Sequence, residues 1–164
     1  MSNIKLKSSN WNLSMGVTIS IITYGIISVF IPIFFIRFIP QSTIGNYFLD
    51  HIFILTVFYF VISIYFTITG CYYYIKIDAY IMYITSYRTI SGLLKDKNYI
   101  EVPHDMLRKY SFFNRPFTFN KTLMLKIQDA SGKKIIKRFD LSFLSKSEEG
   151  RISKVLDQII AKNS

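Results

Sequence analysis

The chain has few of the residues on which enzymatic and metal chemistry usually depends. Its 164 residues include one cysteine, Cys71, and two histidines, His51 and His104. A single cysteine excludes a disulfide within the chain. No glycine-rich phosphate loop, H-E-x-x-H or G-x-S-x-G motif occurs, and no close pair of carboxylates lies in an apolar segment. The sequence therefore predicts a protein that is not an enzyme and has no catalytic residue, cofactor or metal site.

Charge is also scarce over long stretches of the N-terminal half. Residues 13–36 carry no charge, and residues 51–75 carry none at neutral pH. At about 1.5 Å per residue, each segment is long enough to cross about 30 Å of hydrocarbon. The first is too long for a signal peptide and lacks an A-x-A-like cleavage site, so we expect it to be retained. We predict a transmembrane hairpin over residues 13–75, with spans at about 13–36 and 51–74 and an outer loop at 37–50.

The basic residues predict the orientation of this hairpin. The formal net charge is +10, and from Lys76 onward there are 17 basic and 9 acidic residues, which gives 17 − 9 = +8. Lys5 and Lys7 precede the first span, so the positive-inside rule places both termini in the cytoplasm. We therefore predict a multi-pass protein of the bacterial inner membrane with a cytoplasmic tail at residues 1–12. His51 and His104 lie on opposite sides of the membrane in this topology and cannot share a metal.

Both predicted spans carry small and hydroxyl residues at helical spacing. Such residues allow close contact and hydrogen bonds between helices. Neither span contains a buried charge, so nothing marks an ion path. We predict a helix-docking face made of Gly16, Ser20, Thr56, Ser63, Thr67 and Gly70. The alternative is that these residues only pack the hairpin together.

Residues 76–164 are predicted to form a small cytoplasmic α+β domain. The second span is expected to end near Tyr74, and one or two strands follow because Ile, Tyr and Thr favour strands. A hairpin with its turn at 129–132 and a return strand over about 134–143 comes next. Ser145 and Glu148 form a capping box. An apolar stripe then predicts a C-terminal amphipathic helix through Ile152, Val155, Leu156, Ile159 and Ile160.

This order of elements resembles the bacterial pleckstrin-homology-like (PH-like) domain. The segments that carry the resemblance are IEVPHDM, residues 100–106, and FLSKSEE, residues 143–149. The chain is most similar to the family in which a two-helix membrane hairpin precedes that domain, over roughly residues 71–162. The resemblance implies an antiparallel sheet covered by the last helix. The segment is short for a seven-stranded barrel, so an incomplete or split sheet is the alternative.

A second candidate surface lies between Arg108 and Lys121, where basic and aromatic residues alternate. Aromatic residues and arginine are enriched at protein interfaces, and basic residues attract anionic head groups. We predict an interface or lipid-contact surface made of Lys109, Phe113, Arg115, Phe117 and Lys121. The alternative is a strand pair in which Phe113, Phe117 and Phe119 are partly buried.

These patterns favour a membrane protein that binds another protein through its hairpin and its cytoplasmic domain. An immunity protein against a membrane-acting toxin and an accessory subunit of a membrane complex are two concrete versions. The alternative is a PH-like module that binds anionic lipid at the cytoplasmic face. A channel of oligomerised hairpins is less favoured because the spans lack charges, and we expect no nucleic-acid partner because the basic residues lie beside membrane segments.

Overall fold

The computed structural model describes residues 5–38, 43–88, 98–129 and 131–163. The chain divides into two compact units. The helical unit comprises Met15–Ile68, and the β unit comprises Met1–Ser14 together with Thr69–Ser164. The segments that precede and follow the helices therefore belong to one folded body.

Two long helices run through the helical unit, α1 at Trp11–Phe38 and α2 at Thr43–Thr69. Within α1, Trp11–Phe35 is long and apolar enough to cross a membrane, with a mean hydropathy of 2.2. The apolar stretch of α2, Asp50–Phe66, is shorter, and α1 is the one helix among the described residues that meets both criteria. The second predicted span stays a prediction.

The two helices pack through residues spaced alternately by three and four. In α1 these half-buried or buried residues are Thr18, Ile21, Gly25, Ser28, Pro32 and Phe35. Gly25 allows a close approach, because a Cβ atom at this position would lie 2.7 Å from Cζ of Tyr59 in α2. The rings of Tyr24 and Tyr59 lie 5.7 Å apart, centroid to centroid. Such spacing is typical of helices that pack at a small crossing angle.

Two antiparallel sheets form the β unit. The first has the strand order β1-β2-β3-β4, with strands at Leu6–Ser9, Cys71–Ile77, Ile81–Arg88 and Asn98–Pro103. The second has the order β5-β6-β7, with strands at Leu107–Asn114, Asn120–Gln128 and Lys134–Ser142. A 3-10 turn at His104–Met106 joins the sheets, and α3 follows at Lys146–Asn163.

One buried apolar cluster joins both sheets to α3. The alternation of β2 puts Tyr73, Ile75 and Ile77 into it, as expected of a strand with one buried face. The helix α3 contributes Ile152, Leu156 and Ile159.

The predicted β-hairpin, formed by β6 and β7, and the predicted C-terminal helix are confirmed. The Glu148 N–H donates to Ser145 Oγ at 3.2 Å, and the Ser145 N–H donates to Glu148 Oε2 at 3.3 Å, which are the two bonds of a capping box. The return strand is an edge of its three-stranded sheet. Phe113, Phe117 and Phe119, weighed as partly buried strand residues, are exposed instead.

The predicted helix end near Tyr74 is wrong, because α2 ends at Thr69 and β2 begins at Cys71. The reason is tertiary: β2 pairs on one side with β3 and on the other with β1. The N-terminal segment expected to be a tail contains β1, which pairs with β2 from Leu6 opposite Ile77 to Ser9 opposite Tyr74. No periodicity in four residues reveals such a strand.

Candidate functional site

A buried polar network lies where the helices join the β unit. The Asn10 side chain donates from Nδ2 to the carbonyl oxygens of Cys71 (2.8 Å) and Ser142 (3.1 Å). Its Oδ1 accepts from the N–H of Tyr73 at 2.8 Å. The Asn10 carbonyl oxygen also accepts the first helical bond of α1, from the Ser14 N–H. Asn10 therefore fixes the start of α1 to strands of both sheets.

The same network reaches the end of α2. Ser142 Oγ accepts from the Cys71 N–H at 2.7 Å and donates to Asn120 Oδ1 at 2.5 Å. Asn120 Nδ2 then donates to the carbonyl oxygen of Thr69, the last residue of α2, at 2.5 Å. Asn10, Asn120 and Ser142 are buried, so these bonds are shielded from water. The network holds no acid or base, and its role is to hold both helix ends.

The residues of the predicted docking face have different environments. Gly16, Ser20 and Thr56 are exposed, and a Cβ atom at Gly16 would have no neighbour within 4 Å. Ser63 is half-buried and Gly70 is buried. The side chain of Thr67 lies outside the described residues. The half-buried residues of α1 include Gly25 and Ser28, so the packing of α1 on α2 uses positions other than Gly16, Ser20 and Thr56.

The cations of the predicted basic and aromatic surface also have different environments. Arg115 forms an ion pair with Asp140 at 3.2 Å, and Lys121 forms one with Glu149. Asp140 additionally accepts a hydrogen bond from Thr122 Oγ1 at 2.8 Å. Lys109 lies near the other end of the same strand pair, opposite Lys126. The three cations therefore do not form one patch.

The turn between β5 and β6 presents aromatic side chains next to the network. Phe117 is 97% exposed and has a φ of 59°, a left-handed conformation that costs energy for a residue other than glycine. Phe119 stacks on Phe143 with 5.5 Å between ring centroids. The turn closes through the Arg115 N–H donating to the carbonyl oxygen of Asn120, the residue that holds Thr69.

A basic cavity lies at the opposite end of the second sheet. Its volume is about 300 Å³, and its lining residues are Arg108, Lys109, Lys126, Ile127, Gln128, Lys134, Ile135 and Ile136. Four of these eight are cations and none is acidic. The Arg108 guanidinium donates from Nε to Gln128 Oε1 (3.2 Å) and from Nη1 to the Asn163 carbonyl oxygen (3.2 Å). A register shift at this point of β5 sets Lys109 opposite Lys126. Sequence reasoning missed this cavity, because the cations that line it come from three strands.

No family model, curated protein or solved structure matches the chain. The PH-like resemblance is therefore still a prediction.

The residues with possible acid, base or metal chemistry are dispersed. No group of three histidine, cysteine, aspartate or glutamate residues capable of holding a metal occurs within the described ranges. His51 stacks on Tyr47 in α2 with 4.3 Å between ring centroids. His104 lies in the 3-10 turn, where burial lowers the pKa of its imidazole. Cys71 is buried in β2.

Proposed function

We propose that the chain is a non-enzymatic protein of the bacterial inner membrane that binds another protein. In this proposal α1 and α2 both cross the bilayer, and the two termini and the β unit lie in the cytoplasm. The partner is contacted by the exposed small-residue face of the hairpin and by the β unit. An immunity protein against a membrane-acting toxin and an accessory subunit of a membrane complex remain the two versions of this function.

The junction network supports two crossings. Asn10 holds the start of α1, and Asn120 holds the end of α2, in the same folded unit. If α1 leaves this unit across the bilayer, the chain has to cross again to return to it. The segment from His51 to Thr69 carries no charge at neutral pH, and a helix of 27 residues is about 40 Å long, which is sufficient.

The strand arrangement supports a PH-like fold for the β unit. Four antiparallel strands, three antiparallel strands and a C-terminal helix follow one another along the chain. The hairpin is inserted between the first and second strands, so the N-terminal segment supplies the strand that the segment after α2 lacks. We infer a split seven-stranded sheet of the PH-like type, covered by α3.

The observation that carries the partner proposal is the exposure of Gly16, Ser20 and Thr56. Small and hydroxyl residues let a second transmembrane helix approach closely and accept hydrogen bonds. Packing within the hairpin uses other positions, among them Gly25 and Tyr59. The exposed face is therefore available to a helix of another protein.

This proposal is tested by comparing what co-purifies with three forms of the full-length protein, expressed at native level in the native host. The double variant Gly16→Leu with Ser20→Leu fills the exposed face. The control, Val29→Leu, changes an exposed position on another side of α1. A stoichiometric partner that stays with the wild type and the control but leaves the double variant supports the proposal. Equal recovery with all three contradicts it, and the partner's identity separates toxin neutralisation from complex assembly.

Anionic-lipid binding is the second candidate function, and the turn between β5 and β6 favours it. Phe117 is exposed on this turn, which lies beside the residue that holds the end of α2. Aromatic side chains favour the head-group layer. Against this, Arg115 and Lys121 are ion-paired within the chain. Binding of the Phe117→Ala variant to anionic vesicles, compared with that of wild type, tests the contact.

A further inference from the structure

We propose that the basic cavity at the end of the second sheet binds a phosphate-bearing small molecule. The phosphate would lie between Lys109 and Lys126, near Arg108 and Lys134, and the uncharged part of the molecule would contact Ile135 and Ile136.

The first argument is an uncompensated repulsion. Lys109 and Lys126 are directly opposite each other on neighbouring strands, which brings their Cβ atoms to about 5 Å, and like charges so placed are destabilising. Within the described ranges neither lysine has an ion pair. The carboxylate closest along the chain, Asp129, bonds within its own turn, where its Oδ1 accepts from the Ser131 N–H (2.9 Å) and the Lys133 N–H (3.0 Å). No described carboxylate therefore forms an ion pair with either lysine.

A second pair of opposite lysines in this protein is compensated. Lys7 in β1 faces Lys76 in β2. Lys76 forms an ion pair with Asp78 at 2.7 Å, and Lys7 Nζ lies 5.9 Å from the centroid of the Tyr74 ring. The fold thus provides local partners for one facing lysine pair, whereas the pair in the cavity faces open space of ligand size.

The shape and composition of the cavity select the class of anion. A multiply charged group matches four cations, and lysine is a common point-charge ligand of phosphate. The apolar side chains of Ile135 and Ile136, which are half-buried and exposed, suit the non-ionic remainder of a small molecule. A volume of about 300 Å³ is at the lower end of the range for small-molecule sites.

The test uses the full-length protein in nanodiscs of neutral phosphatidylcholine and titrates inorganic pyrophosphate by isothermal calorimetry. We expect saturable binding that is roughly tenfold or more weaker in Lys109→Gln and in Lys126→Gln, because each removes a charge-assisted contact. The control, Lys154→Gln, removes the same charge from an exposed position of α3 and should bind as wild type does. No binding, or equal binding by all variants, would overturn the proposal.

Two further measurements separate this site from a lipid site and from misfolding. Binding of pyrophosphate should be unchanged in nanodiscs that contain phosphatidylglycerol, and competition by that lipid would assign the cavity to head groups instead. Without pyrophosphate, Lys126→Gln should unfold at a higher temperature than wild type, because the repulsion is removed. A lower midpoint would contradict the argument. These measurements use variants of the second sheet, so their results do not depend on whether the α1 variants lose a protein partner.

Discussion

The Asn10 side-chain amide donates a 3.1 Å hydrogen bond to the carbonyl oxygen of Ser142, although 132 residues separate the two in sequence. Asn10 precedes α1, and Ser142 ends β7. The same side chain also bonds the backbone of Cys71 and Tyr73, which follow α2. One buried amide thus connects the start of the helices, the first strand after them and the last strand of the second sheet.

Replacing Asn10 by alanine should destabilise the β unit strongly. Three hydrogen bonds are lost and buried backbone groups are left without partners, so we expect a loss of about 2–4 kcal/mol in the free energy of unfolding. Denaturant unfolding of the full-length protein in detergent measures it. Asn12→Ala is the matched control, because Asn12 is exposed on the first turn of α1. Similar losses in the two variants would contradict the role of the network.

Alanine substitution should destabilise the protein at one glycine of α1 and leave its stability unchanged at another. In Gly25→Ala the new methyl group meets the Tyr59 ring, and overpacking of this kind costs about 1–3 kcal/mol. In Gly16→Ala the methyl group has no neighbour within 4 Å, so we expect no loss of stability. Thermal unfolding of the two variants in the same detergent measures the difference. Equal midpoints would show that α1 and α2 do not pack at Gly25.

Asparagine at position 117 should stabilise the protein. Phe117 has a φ of 59° and is 97% exposed, and asparagine tolerates the left-handed region better, so we expect a gain of roughly 1 kcal/mol. Phe143 has the same φ but stacks on Phe119. In Phe143→Asn the lost ring contact offsets the relief of strain, and the gain should be absent. Denaturant midpoints distinguish the two variants, and a loss in Phe117→Asn would refute the strain argument.

Stability should fall as the pH is lowered through the range in which His104 titrates. Burial lowers the pKa of His104 below its ordinary value of 6.5. Around that pH the unfolded chain binds more protons than the folded chain. The contribution of His104 is therefore complete above pH 6.5 and is lost as the pH falls through the folded pKa. His104→Gln should reduce this decrease in the unfolding midpoint, and an identical pH dependence in both proteins would refute the assignment.

Local patterns in the sequence predicted local elements well. The capping box of Ser145 and Glu148 and the return strand over about 134–143 depend on residues close in sequence, and both elements are present. The strand at Leu6–Ser9 was not predictable, because it pairs with residues about 70 positions away. The end of α2 was not predictable either, because it depends on the pairing of β2 with β1 and β3. Backbone partners in β1 and β3 outweighed the apolar run that suggested a longer helix.

The candidate sites were less predictable than the fold. Lys109, Arg115 and Lys121 look equivalent in sequence, yet two of them are ion-paired with residues of β7 and α3. The sequence does not indicate that Lys126 and Lys134 lie close to Lys109, because only the strand register brings them together. Electrostatic surfaces depend on which distant residues meet across strands, and spacing along one strand carries no information about that.

The pairing of Leu6 with Ile77 sets an order of events during synthesis. The first strand leaves the ribosome before either helix, and its partner emerges about 70 residues later, which takes several seconds at roughly 5–20 residues per second. Until β2 has emerged, β1 has no strand to pair with, and the first sheet cannot form. Completion of the β unit therefore requires that both helices have already been made.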